Sequence, residues 1–233
     1  MKLMAFAQGQ IGMDRSQFQQ SCLSDLGPAW LKADPSLRRL VVNLLDVRPG
    51  KMPWQRPDEE IAPPGADKPP YDAVIEAWLD SAEQARAASQ WLTKHLGGTC
   101  SKLDVFGVTE WIEKDRTPPA GRGTSPGVKY ISQCSFHDDL PDSAAQRSWQ
   151  VHVPLALRVH VGVSKYVRNW VEERLSSNTG STRGIVELHF DSMQDLEQRW
   201  FASEHGKAEI THDVRHFLKG AVRMFTTEHI LLE

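Results

Sequence analysis

The feature that most narrows the folds open to this chain is that it matches itself. Asp72-Ala-Val-Ile-Glu-Ala-Trp-Leu-Asp-Ser81 lies over Arg183-Gly-Ile-Val-Glu-Leu-His-Phe-Asp-Ser192 at one constant offset, pairing Glu76 with Glu187, Asp80 with Asp191 and Ser81 with Ser192. Upstream, Leu26-Gly-Pro28 lies over His152-Val-Pro154, and the same shift carries Leu40-Val-Val-Asn43 onto Tyr166-Val-Arg-Asn169. Both matches keep their order, so the chain reads as a duplication, a pattern that constrains the fold before any single element is assigned. Residues 116–127 (RTPPAGRGTSPG) are punctuated by Pro and Gly and divide the chain into halves 1–116 and 127–233. A second Pro-rich stretch, 48–70, is longer than an ordinary loop.

Alternating polarity and capping residues give each half the same predicted order of elements. In the first half, strands are expected over 2–8, 37–47, 72–79 and 103–111, with helices over 15–31 and 82–96. In the second, strands are expected over 129–134, 163–170, 184–190 and 221–229, with helices over 143–159 and 193–203 and further helix around 210–218. Asp80-Ser81 and Asp191-Ser192 are the expected caps of the helices that follow them. The βαββαβ order is the ferredoxin-like unit, so the fold class is α+β, with two tandem ferredoxin-like units forming an α+β barrel. A four-stranded sheet with helices on one face leaves the other bare. Two such sheets packed face to face cover each other, and a small-molecule pocket is expected between them.

Composition removes several classes of function. Lys+Arg 27 against Asp+Glu 30 leaves a net charge of −3, and no basic run offers a footprint for a phosphate backbone, so nucleic acid is not an expected partner. The odd number of cysteines, Cys22, Cys100 and Cys134, lie far apart with no Cys-x-x-Cys, which argues against a disulfide framework and a thiolate zinc site. No apolar run approaches the ~20 residues a membrane helix needs, and no secretory leader is recognisable. The expectation is a cytoplasmic protein with no membrane partner.

Strand parity sorts the candidate functional residues. Ile75, Ala77 and Leu79 match Val186, Leu188 and Phe190, an apolar set expected beneath the helices. Val74, Glu76 and Trp78 match Ile185, Glu187 and His189, expected between the sheets. The halves also differ: Leu26, Trp78 and Trp111 in the first stand where His152, His189 and His229 stand in the second. Histidine alone changes charge near neutral pH without an environmental shift. One half is thus expected to provide packing and the other chemistry, with a single working site. A slip of one residue in the last strand would turn His229 to the opposite face.

The run His152-Val-Pro154-Leu155, Gly162-Val163 and Tyr166-Val167-Arg168-Asn169, with Trp149 one turn earlier and Gly184-Ile-Val-Glu187-Leu-His-Phe190-Asp191-Ser192 downstream, resembles the signature of the EthD-like family of the dimeric α+β-barrel superfamily. The second half is covered almost end to end, and the first is a degenerate copy lacking the histidine. Val161 stands where that family usually has proline before the glycine. The resemblance implies a ferredoxin-like α+β barrel, here built from two halves, with room for a homodimer. It also implies a cofactor-independent lyase or isomerase of the dehydratase, decarboxylase or lactone isomerase type, acting on a cyclic, aromatic or polyketide-like carbonyl compound. His152, Tyr166 and His189 are the catalytic candidates; Asn169, Glu187, His229, Trp78 and Trp149 are the substrate-binding ones. The alternative is a non-catalytic small-molecule-binding or accessory protein of a degradative or biosynthetic pathway.

On a helix, Trp149, His152, Val153 and Ala156 share one face, which sets the imidazole among apolar neighbours and favours its neutral form. Pro154, with no N–H to donate, is expected to kink that helix or free a carbonyl. Two competing motifs point elsewhere. His212-Asp213-Val-Arg-His216 superficially resembles a zinc-protease helix, but the acid there should be Glu and no third ligand is evident, so no metal is expected. Asp213 and Phe217 instead resemble the family's framework before the last strand. Relatives in the wider superfamily bind haem through a proximal histidine, but the EthD-like subset does not, and no cofactor is expected.

Overall fold

The computed structural model describes residues 1–46, 70–118, 121–177 and 179–233. In chain order they form β1 (Lys2–Gly9), α1 (Arg15–Ser21), α2 (Gly27–Ala33), β2 (Arg39–Leu44), β3 (Ala73–Trp78), α3 (Ala82–Leu96), β4 (Cys100–Asp115) and β5 (Gly123–Thr124). They continue with β6 (Val128–Phe136), α4 (Asp142–Val159), β7 (Val163–Arg174), β8 (Thr182–Phe190), α5 (Met193–Gln198), α6 (Glu204–Val214) and β9 (Leu218–Leu232). The 48–70 stretch lies, apart from its last residue, outside the described residues. The expected linker holds a short strand, β5, which pairs with β9.

The strands close into an antiparallel barrel in the order β2-β3-β1-β4-β7-β8-β6-β9, with β9 pairing back onto β2. Strands up to residue 116 follow the order β2-β3-β1-β4 and those after residue 127 the order β7-β8-β6-β9, the same arrangement twice. The two sheets were expected to face each other as separate layers. They also join edge to edge, through β4–β7 and β2–β9, because unpaired strand edges are satisfied only by closure. Closure uses strand length that polarity alternation did not reveal. β4 pairs with β1 through its first part and with β7 as far as Asp115, and β9 pairs with β6 and then with β2.

Local chemistry explains the helix boundaries. Ser81 and Gln84 form a reciprocal capping box on α3, and Ser192 accepts from the Asp195 amide at the start of α5. The predicted helix 15–31 is interrupted by a π-turn at Cys22–Leu26 just before Pro28, whose missing N–H is harmless at the first turn of α2. Pro154, by contrast, sits inside an unbroken α4. The helix predicted to start near 210 starts at Glu204, because Ser203 caps it by accepting from the Gly206 amide.

Parity places the side chains as alternation requires. Ile75, Ala77 and Leu79 pack under the first-half helices with Phe18, Trp30 and Ala85. Leu188 and Phe190 pack against Val153, Ala156 and Leu196. Inside the barrel, Met4, Phe6, Val74, Phe106, Ile131, Ile185 and Met224 form an apolar plug. Beside it lies a buried ionic cluster that neither half could complete alone. Lys2 Nζ reaches Glu76 (2.6 Å), Glu187 (2.5 Å) and Glu110 (2.9 Å). Lys129 Nζ reaches Glu187 (2.7 Å), Glu228 (2.9 Å) and Glu76. Asn43 donates to Glu76 and the Val74 carbonyl, and Asn169 donates to Glu187 and the Ile185 carbonyl.

Burial pushes the Glu187 carboxyl up, but Lys129 and Lys2 together pull it well below the usual value; Glu228 is lowered the same way, chiefly by Lys129. Carboxylates depressed in the fold stabilise it above their unfolded pKa of ~4.3. That contribution is lost as pH falls below this value and through the folded one. Lys129→Met, which leaves Glu228 with no lysine and Glu76 and Glu187 sharing Lys2 alone, is expected to cost about 3–5 kcal/mol of unfolding free energy in a urea titration at pH 7. The deficit should shrink below pH 4 as the carboxylates protonate.

Candidate active site

A cavity of about 270 Å³ lies between α4, α6 and the outer face of β6–β9, and His152 lines it. This departs from the expected location. Part of the space between the sheets is filled by the apolar plug and the ionic cluster, and a cavity of about 300 Å³ lined by His189 and Glu228 remains beside them; the pocket holding His152 lies outside the barrel, beneath the helices. Trp149, His152, Val153 and Ala156 are all buried on one face of α4, as their spacing predicts. Gly184 on β8 makes room for this packing: a Cβ there would stand 2.4 Å from Trp149 Cζ3.

His152 is one half of a dyad. Its Nδ1 lies 2.6 Å from Asp213 Oδ2 on α6, and its ring meets Phe217 at 5.4 Å and 62°. An imidazole nitrogen facing a carboxylate carries the proton, so Nε2 holds the lone pair. Burial lowers the His152 pKa, and Asp213 opposes that shift. The ring is therefore neutral at pH 7 and able to accept a proton. The same pocket is lined by Tyr130, Tyr166, Trp200, Cys134, His160 and Arg223. Burial pushes the Tyr166 hydroxyl well up, keeping it a donor, and raises the Cys134 thiol to about 11, which removes it as a nucleophile.

The residues singled out from the sequence separate into three places. His152, Tyr166 and Trp149 line the pocket under the helices. Glu187, Asn169, Trp78 and His189 belong to the barrel interior. There Trp78 donates to Glu110 and lies 4.6 Å from Lys2, while His189 lies beside a cavity of about 300 Å³ that it lines with Glu228 and Arg39. His229 is on the outer face, 3.1 Å from Thr124 Oγ1.

The strand registers bear on the third contrast between the halves. Met4 opposes Phe106 and Glu76, and Ile131 opposes Met224 and Glu187. Counting along β4 and β9 from those positions aligns Glu110 with Glu228 and Trp111 with His229. The slip that would have separated that pair does not occur, but both residues point away from the barrel. The three apolar-for-histidine exchanges therefore do not gather into one site.

Sequence reasoning missed His160, which caps the C-terminal end of α4, and the charged partners Lys2, Lys129, Glu110 and Glu228. The signal for the latter was present: a lysine stands at the same place on the first strand of each half, opposite Trp78 and His189. His212 and His216 are exposed with Nε2 atoms 3.3 Å apart, and no group of three or more His, Cys, Asp or Glu among the described residues could hold a metal ion. His152 presents the right free nitrogen for an axial haem ligand. However, a cavity of about 270 Å³ is smaller than typical small-ligand pockets of about 300–1,000 Å³, and Tyr130, Tyr166 and Trp200 fill its walls. The residues present do not fit a tetrapyrrole.

No protein-family model matches the chain, and no curated protein matches it in sequence. Solved structures do match it. An anthrone oxidase-like protein superposes with a TM-score of 0.60 at 13% identity, over 99% of this chain and 90% of that one. A putative monooxygenase from Lactobacillus acidophilus NCFM gives 0.54 at 7% identity, over 97% and 92%. The chain has an α+β-barrel fold. A dye-decolorizing peroxidase from Bacteroides thetaiotaomicron VPI-5482 shares this α+β barrel with a TM-score of 0.51 at 11% identity, over 97% and 92%. Identities this low carry the fold and not the chemistry. No helix among the described residues is long and apolar enough to cross a membrane.

Two measurements check the site. Gly184→Ala should displace Trp149, costing about 1–3 kcal/mol and changing the near-ultraviolet circular dichroism of the pocket. Burial holds His160 and His189 near 4, far below the ordinary 6.5. Between these values the unfolded chain binds protons that the folded one refuses, so stability present above pH 6.5 should decline as pH falls from 6.5 to 4. Urea midpoints across that range report it.

Proposed function

We propose that this protein is a cofactor-independent acid/base enzyme, a lyase or isomerase acting on a small cyclic or aromatic carbonyl compound bound beneath α4 and α6. The observation that carries this reading is the His152–Asp213 dyad, with His152 in the wall of an aromatic-lined pocket. Nε2 of His152 takes a proton from the carbon next to the substrate carbonyl, and the electron pair of that C–H bond moves into the carbonyl to give an enolate. Asp213 stabilises the imidazolium that forms. Tyr166, whose hydroxyl burial holds protonated, keeps its own proton to donate to the enolate oxygen, and Arg223 adds positive charge to the same wall. The imidazolium then returns the proton to a different carbon, which is isomerisation, or to a leaving hydroxyl, which is elimination.

Two further elements belong to this reading. The repeated strand order supports an interpretation of the barrel as two tandem ferredoxin-like units, 1–116 and 127–233, with the second carrying the chemistry. The residues from His152 to Ser192 support an EthD-like relationship. His189, Glu187, Asn169 and Trp78 are assigned to holding the barrel interior rather than to the reaction.

The test is deuterium incorporation from D₂O into cyclic hydroxy-carbonyl compounds, followed by NMR. His152→Ala is expected to slow it by ~10² or more. Asp213→Asn should lower the maximum rate and also move the acid limb of the kcat/KM profile to lower pH, since Asp213 is what raises the His152 pKa. If the wild-type protein binds such compounds but exchanges no deuterium, the chain is a binding protein and the enzyme reading fails.

A further inference from the structure

His160 stands on the same pocket as His152 and has a different environment. Its Nδ1 lies 2.8 Å from the Trp200 carbonyl oxygen, and its ring packs against Trp200 (5.6 Å, 77°) and Phe201 (5.5 Å, 40°). A carbonyl can only accept, so Nδ1 carries the proton and Nε2 is a lone-pair acceptor with no partner among the described residues. His160 lines the pocket, and a ligand that fills it displaces water from this acceptor and must offer a donor in its place. Burial pushes His160 to about 4, so it stays an acceptor across the neutral range. His152 and His160 are eight positions apart, which at ~1.5 Å per residue places them ~12 Å apart along α4. A ligand extended along α4 reaches from one to the other.

We propose that His160 is the specificity-determining acceptor of this pocket and that its ligand is a planar, fused-ring hydroxy compound, its hydroxyl donating to His160 Nε2 while its reacting carbon lies against His152. The placement of the reacting carbon rests on the acid/base reading of His152; the preference for a hydroxyl does not. A site whose acceptor is cut off from water by the bound ligand discriminates against the analogue that leaves it unpaired. The pocket should therefore distinguish a fused-ring alcohol from its methyl ether, although the two are nearly equal in apolar surface.

The probes are 2-naphthol and 2-methoxynaphthalene, titrated while following tryptophan fluorescence from Trp149 and Trp200. The wild-type protein is expected to bind 2-naphthol about tenfold or more tighter than the ether. His160→Phe keeps the ring and removes the acceptor, and should bring the two affinities to within about twofold. His152→Ala should retain the wild-type preference. A wild-type ratio near one, or a His160→Phe protein that keeps the full preference, overturns the proposal. If His160→Phe does not fold, the ¹⁵N resonance of His160 Nε2 decides the matter in the wild-type protein. It should shift on adding 2-naphthol and not on adding the ether, and equal responses to both overturn the proposal. The two readings fail separately: full deuterium exchange in His152→Ala removes the acid/base reading and leaves the hydroxyl preference standing, whereas an absent preference leaves the His152 chemistry untouched.

Discussion

Lys2 and Lys129 each bridge carboxylates from both halves of the chain, and the rest of the architecture depends on that exchange. Lys2 holds its own half's Glu76 together with Glu187 of the other, and Lys129 does the reverse. A charge removed from water is tolerated only when its partners surround it, and here the full set of partners exists only when the barrel is closed. Closure in turn sets the curvature of the outer sheet face, on which α4 and α6 rest and where the His152 pocket forms. The barrel interior thus acts as the lock, and the pocket that His152 lines lies on the sheet face behind it.

Much of this was legible because short segments of the sequence match one another in order. Equivalent positions such as Glu76 and Glu187, or Asn43 and Asn169, could be paired without coordinates, and both pairs make matching hydrogen bonds in the barrel. Parity correctly separated Leu188 and Phe190 from Glu187 and His189. What periodicity could not convey was which face of the sheet would hold empty space. A period of two says that a residue points inward but not whether the interior is full. The ends of β4 and β9 were underestimated for a related reason: past Trp111 the strand carries Ile112, Glu113 and Lys114, in part exposed and without alternation, because its pairing with β7 is interrupted by bulges.

His152 and Asp213 show the same division between local and distant information. The helical face carrying Trp149 and His152 follows from spacing alone. The partner carboxylate lies on another helix, 61 residues away, and only the packing of α6 against α4 brings it into reach. His160 was passed over because its role comes from a backbone carbonyl, that of Trp200, which no pattern of side chains announces.

The pairing of β2 with β9 also governs how the chain can be made. Residues 40–44 finish their hydrogen bonding only with residues 227–232, so a ribosome must deliver at least 232 residues of this sequence before the barrel can close. Until then the first sheet has a bare edge, and Lys2 and Glu76 wait on a face that later becomes interior. Long-range strand pairing of this kind folds slowly and exposes edges that invite association. For a nascent chain, that face also carries Met4, Phe6, Val74 and Phe106, and the charges of Lys2 and Glu76, which water solvates well, interrupt the apolar surface to which a neighbouring chain could adhere.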